Sequence, residues 1–407
     1  MALVDELILL LGLLVFSYLG SALVAPGQTS AIGLLSGSHF IGLGVLLGPH
    51  ALGVVPSDAA VSFRPLAIVA TAWLALVLGV EYGHVGDRRL SVRALVRGTL
   101  AGLITAAAIG GAVYVAAGYF LALSAADARL LGLGVGLAGS ETARQSVRFV
   151  VDRGAEHGRL LRLLEELADT DEVVPLLGLG VLFSLSPTPL GDVQLAFSSW
   201  LALNVLLGLL LGLTSALLVS GFAAAHDAWG VLLGAALLVA GIAWRLSLSP
   251  LSAAFLMGVC LGMGSRHGAE LRPLLARTEP GVLLPTLLLA GALLHLPSAR
   301  GPLWVLGIAL VARVLVRCAL GYSLARLAKT DASRRVPFGL SLCCSGSVSV
   351  LFSLSFALRF PGPVGDLVLA AAAVSGIAGD LLGTMGLRRA FVMRESLPPP
   401  PYAVSSS

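Results

Sequence analysis

The sequence predicts an all-α protein that crosses a lipid bilayer many times. Hydrophobic residues make up 57% of the 407 residues and charged residues only 12%, against roughly 25% charged residues in ordinary soluble domains. Apolar stretches of about 20 residues, the length that spans a bilayer as a helix, recur along the whole chain. A water-soluble fold could not bury this much apolar surface.

Thirteen candidate spans follow one another along the chain. Their approximate limits are 6–25, 30–49, 64–83, 96–119, 124–151, 158–185, 191–221, 227–244, 249–266, 280–297, 301–327, 334–359 and 363–388. The first is not an obvious signal peptide, because Asp5 and Glu6 stand where basic residues would be expected. Residues 394–407, with four consecutive prolines, are predicted to be a disordered tail, which leaves 1–393 as one transmembrane domain.

The arginines between the spans predict the orientation of the chain. In a thirteen-span topology, most of them fall in loops on one side of the membrane, and the opposite loops hold little more than Arg64, Arg129, Arg300 and Arg359. The positive-inside rule then places the N-terminus outside and the C-terminus in the cytoplasm. We therefore attribute the net charge of +4 to membrane topology and predict no binding of nucleic acid.

Two predicted spans contain interruptions. The fifth has a glycine-rich run over residues 131–143, and the twelfth has a polar run over residues 343–349. Glycine lowers helix stability by about 1 kcal/mol per position, and serine competes for backbone hydrogen bonds. Interrupted spans at matching positions in two halves are typical of inverted-repeat transporters. Pairing the two breaks predicts repeats over approximately 30–185 and 249–388, although the halves share no detectable sequence identity.

Acidic residues inside the membrane are costly and usually functional, and the densest run of them opens the sixth span. On one continuous helix, Glu165, Asp169 and Glu172 would share a face that descends from the cytoplasm as an acidic funnel. Glu165 and Glu166 are interpreted as interfacial charges beside an arginine. The deeper Asp171 and Glu172 are the stronger candidates for function.

The eleventh span carries two arginines, Arg313 and Arg317, that lie four residues apart and share a helix face. Guanidinium groups in an apolar span need acidic partners, and the sixth span is the richest source of acids. Because arginine keeps its proton at working pH, a purely structural ion pair remains open as an alternative.

Weaker candidates complete the set. Glu141 lies in the break of the fifth span beside Thr142 and near Arg144, where function and local pairing are equally supported. For Asp380, late in the last span, a structural or capping role is favoured over function, and for His39 a packing role. The four cysteines lie in apolar segments without paired spacing, so neither a disulfide nor a metal site is predicted.

Several of these segments resemble the monovalent cation/proton antiporter superfamily, in particular its second branch. The stretch Phe40–Gly53 (FIGLGVLLGPHALG) is similar to the signature of the second helix, and Leu78–Glu81 is similar to the Gly-hydrophobic-Glu that closes the next one. The segments 152–162 and 378–391 resemble the loop after the broken helix and the end of the last helix. Each motif is degenerate, but their order and spacing together extend the resemblance over nearly the whole chain.

The resemblance also implies site residues. Thr142 matches the threonine of the family's broken helix, the acidic pair falls on Asp171 and Glu172, and the membrane-embedded basic residue falls on Arg317. The second acid is glutamate where aspartate is usual, so a pair one residue earlier, Thr170 and Asp171, stays open. The basic residue is arginine where many relatives have lysine.

What the resemblance implies is a homodimeric secondary transporter, not an enzyme, in a bacterial inner membrane, with two broken helices that cross. It would exchange Na⁺ or K⁺ for protons without a cofactor. Burial favours the neutral form of a carboxyl group, and a neighbouring guanidinium favours the charged form, so proton and cation can compete for it. The expected ion and proton ligands are Asp171, Glu172, Thr142, Glu141 and Thr170, with Arg317 and Arg313 pairing charge and Asp380 and Asp169 as secondary candidates.

Other classes of function remain open. A transport-inactive sensor or membrane subunit that signals through a partner could keep the same scaffold. An organic-anion transporter could use the two arginines, although the acidic pair argues against an anion. An intramembrane enzyme is the weakest alternative, because no His-Glu-x-x-His or Gly-x-Ser-x-Gly motif is present.

Overall fold

The structure, a computed structural model, describes residues 37–49, 51–55, 62–83, 92–152, 158–186, 195–295 and 299–391. Every regular element in those ranges is helical. The α-helices are α1 (Ser38–Leu47), α2 (Arg64–Gly83), α3 (Val92–Phe120), α4 (Ala125–Ala138), α5 (Arg144–Asp152), α6 (Arg159–Ala168), α7 (Val173–Leu185), α8 (Phe197–Ser220), α9 (Trp229–Arg245), α10 (Pro250–Gly264), α11 (Gly268–Ala276), α12 (Glu279–Ala292), α13 (Arg300–Leu327), α14 (Ala332–Ser341), α15 (Ser347–Arg359) and α16 (Pro363–Ala390). The first predicted span and the predicted tail at 394–407 lie outside the described residues.

Length and composition make this an integral membrane protein. Among the described residues, six helices are long and apolar enough to cross a bilayer: Arg64–Gly83, Arg93–Phe120, Phe197–Ser220, Ala225–Arg245, Arg300–Leu327 and Pro363–Ala390. Large apolar side chains point outward from them, such as Leu217 on α8 and Leu315 on α13, which are 67% and 64% exposed. Such a surface is stable against lipid tails and not against water.

The predicted spans agree with these helices within a few residues in most places. The third predicted span, 64–83, coincides with α2, and the eleventh, 301–327, begins one residue after α13 does. The short helix α11, over residues 268–276, lies in the connection between the predicted ninth and tenth spans. The total of thirteen spans stays a prediction.

Two tight helix crossings relate the two halves of the chain. Helix α1 of the first half packs on α12 of the second half, and helix α10 of the second half packs on α2 of the first half. Two repeats that pack against each other produce such reciprocal pairs. Glycine permits both crossings, because a Cβ at Gly44 would lie 2.1 Å from the Leu288 carbonyl oxygen. A Cβ at Gly79 would lie 2.2 Å from that of Phe255. These reciprocal contacts are those that the predicted repeats would produce, and the repeat limits remain predictions.

The two predicted interruptions are real, and they meet. Helical structure stops between α4 and α5 at 139–143 and between α14 and α15 at 342–346. The backbone N–H of Ala143 in one break donates to the carbonyl oxygen of Cys344 in the other at 3.1 Å. The two broken spans therefore cross at their interruptions.

The sixth span contains a third interruption, which was not predicted. Helix α6 ends at Ala168 and α7 begins at Val173, with turns over 169–172 between them. The prediction that Glu165, Asp169 and Glu172 form one face of a continuous helix was therefore wrong. The turn directs successive acidic side chains to different partners.

Candidate functional site

The crossing of the broken spans brings half-helix termini into the interior of the protein. The first turns of α5 and α15 leave backbone N–H groups without helical partners, and these ends carry partial positive charge. Two acidic side chains occupy them. The Asp171 carboxylate accepts the N–H of Thr142, just before α5, at 3.0 Å. The Glu141 carboxylate accepts the N–H of Ser349, in the first turn of α15, at 2.7 Å.

Asp171 is the centre of a compact charged cluster. Its Oδ2 accepts the Thr142 hydroxyl at 2.7 Å and Nη1 of Arg317 at 2.9 Å. The same Arg317 nitrogen also donates to the Thr142 hydroxyl oxygen at 2.8 Å. All three side chains are at most 1% exposed. The break before α5, the turn before α7 and helix α13 thus contribute one side chain each to a site that is closed to bulk solvent.

Glu172 lies beside Asp171 in the chain but pairs with a different cation. Its Oε2 lies 2.8 Å from Nη2 of Arg144, the first residue of α5. The other terminal nitrogen of Arg144 donates to Glu81 near the end of α2. The guanidinium also lies 4.8 Å from the centre of the Tyr82 ring, within the range of a cation–π contact. The two neighbouring acids thus have separate resident arginines.

Arg313 bridges the two breaks without touching an acid of the sixth span. It donates to the Glu141 backbone carbonyl at 3.2 Å and to the Ser345 hydroxyl at 3.3 Å. Its side chain is 1% exposed. One polar atom from each interruption is therefore held by the same guanidinium, which fixes how the breaks cross.

The remaining candidates lie apart from the Asp171 cluster. The Thr170 hydroxyl donates back to the Glu166 carbonyl, and Asp169 is half-buried in the turn after α6. Asp380 is fully buried in α16, where its carboxylate accepts the Ser38 hydroxyl at 2.9 Å. Asp380 thus connects α16 to α1.

Comparison with known proteins identifies the fold in which this site lies. No family model matches the chain, and no curated protein matches its sequence. A solved structure of the sodium/proton antiporter MjNhaP1 from Methanocaldococcus jannaschii superposes with a TM-score of 0.67, covering 96% of this chain and 100% of that chain at 16% identity. An electron-microscopy structure of the same antiporter gives a TM-score of 0.59, covering 93% of this chain and 94% of that one at 17% identity.

The chain has the sodium/proton antiporter fold. At this level of identity the likeness concerns the fold alone. The two broken spans of this fold were predicted from the sequence, and the resemblance to the antiporter superfamily implied that they cross.

Within the antiporter fold, three charged side chains have partners other than those that the sequence suggested. Both arginines of α13 were expected to pair with the sixth span, but only Arg317 does so, because Arg313 lies at the crossing and donates to a carbonyl and a hydroxyl. Local pairing of Glu141 with Arg144 was one alternative, but Arg144 contacts Glu172 and Glu81. Glu166, expected beside an arginine of its own helix, pairs with Arg97 of α3.

Two residues of the ion-pair network around Glu172 were not predicted from the sequence. Glu81 was noted only as part of a motif, and Arg144 only as a neighbour of Glu141. The overlooked signal was the position of Arg144 in an apolar span directly after an interruption. A buried guanidinium there requires acidic partners, and Glu81 is an acid at the end of another apolar span.

Proposed function

We propose that the protein exchanges a monovalent cation, Na⁺ or K⁺, for protons across the membrane, with Asp171 and Glu172 as the titrating ligands. The observation that carries this proposal is the burial of the Asp171 carboxylate at the crossing of two interrupted spans, between Thr142 and Arg317. The fold, shared with a sodium/proton antiporter, supports the same conclusion. The protein is then a secondary transporter and performs no covalent chemistry.

Exchange follows from the cost of burying charge. A carboxylate away from water is stable only with a compensating positive charge or a proton. Arg317 supplies a fixed positive charge to Asp171, since arginine does not release its proton. In the proposed mechanism, an arriving cation and the exchangeable proton compete for the carboxylate oxygens of the acidic pair, Asp171 and Glu172. If the site changes its side of the membrane only when occupied, the two species must move in opposite directions.

The chemistry of the site suits a small hard cation. The available ligands are carboxylate oxygens of Asp171 and Glu172, the hydroxyl of Thr142, and backbone carbonyls freed by the interruptions. Oxygen donors of this kind are the ones that hard alkali and alkaline-earth cations prefer. The acidic pair that we propose is Asp171 and Glu172, because the Thr170 hydroxyl is turned away toward α6.

Alternating access is the transport mechanism that we propose for this fold. Asp171 and Thr142 are fully buried and Glu172 is 3% exposed, so neither side of the membrane has free access in this conformation. The interrupted spans would move relative to helices such as α2 and α10, whose tight glycine-mediated crossing favours rigid-body motion. Each of the two moving bodies would then contain parts of both predicted repeats, 30–185 and 249–388.

The cellular setting completes the proposal. The arginine distribution supports an external N-terminus and a cytoplasmic C-terminus, and we propose a bacterial inner membrane as the location. Homodimer formation is proposed from the resemblance of the sequence to the antiporter superfamily.

Dye dequenching in vesicles tests this function. Purified protein is reconstituted with a pH-sensitive dye, the lumen is acidified, and Na⁺, K⁺ or Li⁺ is added at values from about pH 6 to 9, across which proton competition changes. We expect dequenching with at least one cation, and none with Asp171→Asn or Glu172→Ala. Arg97→Gln, which removes a partly exposed Arg–Glu pair outside the site, is the matched control. Absence of any response by the wild type would refute exchange and favour the transport-inactive sensor.

A further inference from the structure

Arg144 occupies a position that the exchange mechanism leaves unexplained. Its guanidinium lies between two carboxylates from different parts of the fold, Glu172 before α7 and Glu81 of α2. The side chains of Arg144, Glu81 and Glu172 are 17%, 14% and 4% exposed. Arg317, in contrast, forms an ion pair with one carboxylate among the residues that the structure describes, Asp171.

The placement of Arg144 has a direct consequence for Glu172. Its nitrogen lies 2.8 Å from Oε2 of Glu172, the carboxylate that the proposed function assigns to the transported cation. Two positive charges cannot share one buried carboxylate at low cost, because their repulsion is weakly screened there. A transported ion that binds Glu172 therefore has to displace the guanidinium.

We propose that Arg144 is a tethered competitor of the transported cation at Glu172 and thereby sets the affinity of the protein for that cation. The inference rests on the proposed function, because it assigns the transported cation to Glu172. It makes Arg144 a positioning residue that acts through Glu172 rather than a ligand of the ion.

The surroundings of Arg144 allow its guanidinium to move away from Glu172 and still contact a carboxylate. Glu81 already accepts one of its terminal nitrogens, and the Tyr82 ring offers a second contact at 4.8 Å. Arg272, which is 52% exposed, lies 3.7 Å from the other oxygen of Glu81 and can turn outward to water. The displaced guanidinium then keeps a full counter-charge in Glu81.

This arrangement predicts effects of opposite sign for the two partners of Arg144. Removing the competitor with Arg144→Gln should make cation binding at Glu172 tighter. Removing the alternative acceptor with Glu81→Gln should make cation binding weaker, because Arg144 then loses the carboxylate that already accepts one of its terminal nitrogens. A merely structural role for Arg144 predicts weaker binding or misfolding in both variants, and cannot give a gain in affinity.

The test is cation-dependent thermal stabilisation of the purified full-length protein, which reports binding whether or not transport occurs. NaCl and KCl are titrated at constant ionic strength with choline chloride, and the half-maximal concentration is compared between variants. One charge-assisted hydrogen bond corresponds to a change on the order of tenfold in that concentration. We expect a decrease of that size for Arg144→Gln and an increase for Glu81→Gln. Arg97→Gln, the matched charge-removal control, should shift it by less than about twofold.

Each outcome bears on a different claim. An unchanged or increased half-maximal concentration in Arg144→Gln overturns the competitor proposal, even where the wild type exchanges cations in vesicles. If Arg144→Gln does not fold, a decrease or no change in Glu81→Gln overturns it instead. Loss of exchange in the wild type with these binding shifts intact would overturn the proposed function alone. A wild type that neither cation stabilises overturns the competitor proposal as well.

Discussion

The Asp171–Arg317 pair should contribute much more to stability than an ion pair on the protein surface. Asp171→Asn keeps the size of the side chain and an acceptor for the Thr142 N–H, but it removes the charge opposite Arg317. Both members of the pair are at most 1% exposed and lie 2.9 Å apart. The variant therefore leaves a guanidinium buried without its carboxylate partner.

Breaking a buried pair on one side costs about 3–5 kcal/mol, because the remaining charge loses its compensation. Asp171→Asn and Arg317→Gln should each lower the free energy of unfolding by an amount in that range. The double variant has no charge left at either position, so its loss should fall well below the sum of the two single losses. The expected coupling energy is about 3 kcal/mol or more.

Equilibrium unfolding of the detergent-solubilised variants, followed by tryptophan fluorescence, measures this double-mutant cycle. Arg97→Gln, Glu166→Gln and their double variant form the control cycle for a partly exposed pair, with side chains 40% and 26% exposed. That pair should show a coupling energy below about 1 kcal/mol. Single losses under about 1 kcal/mol at Asp171 and Arg317, additive in the double variant, would contradict a desolvated pair at the crossing.

Three further predictions follow from the site and from the packing. Thr142→Val removes the hydroxyl that donates to Asp171 and should slow cation/proton exchange on the order of tenfold. Thr142→Ser, which keeps a hydroxyl, should retain most of the rate. A valine variant with a normal exchange rate would exclude the hydroxyl from the site. Gly79→Ala would place a Cβ 2.2 Å from the Phe255 carbonyl oxygen and should destabilise the fold by about 2 kcal/mol or more. Gly118→Ala, with open space around it, should be neutral or stabilising. Equal thermal unfolding temperatures of the two variants would refute the close crossing of α2 and α10. In vesicles, proton competition should raise the apparent KM for the cation by up to about tenfold per unit decrease in pH with an unchanged maximal rate, and a pH effect confined to the maximal rate would indicate separate sites.

The sequence was sufficient for the parts of the fold that depend on local composition. Long apolar segments predicted the helices, since only helices satisfy their own backbone groups in lipid. The Gly-rich run before Glu141 and the Ser-rich run near Ser345 predicted the two interruptions, because both weaken a helix locally.

The interruption in the sixth span had a different signal that the sequence reasoning did not use. No glycine run precedes Glu172, and the acidic residues fit a continuous helix face. Pro175 marks the boundary, because proline is tolerated in the first turn of a helix, where its missing N–H costs no hydrogen bond. Helix α7 begins two residues earlier, at Val173, so the proline indicated a new helix and not the middle of an old one.

Which group each arginine of the site contacts could not be predicted from the sequence. Arg313 and Arg317 are one turn apart on the same face of α13, and the sequence gives them equal access to an acid. The crossing of the breaks separates them, since it places the Glu141 carbonyl against Arg313 and Asp171 against Arg317. The same tertiary geometry brings Glu81 of α2 to Arg144 of α5, across 63 positions of sequence.

The central claim is that cation and proton compete for Asp171 and Glu172, and proton release on cation binding tests it most directly. Purified protein in a weakly buffered solution is mixed with NaCl or KCl, and a pH-sensitive dye records the protons released, with choline chloride as the blank. The competition predicts about one proton released for each cation bound and no release from an Asp171→Asn, Glu172→Gln double variant. Cation binding without proton release, or equal release from the double variant, would contradict it.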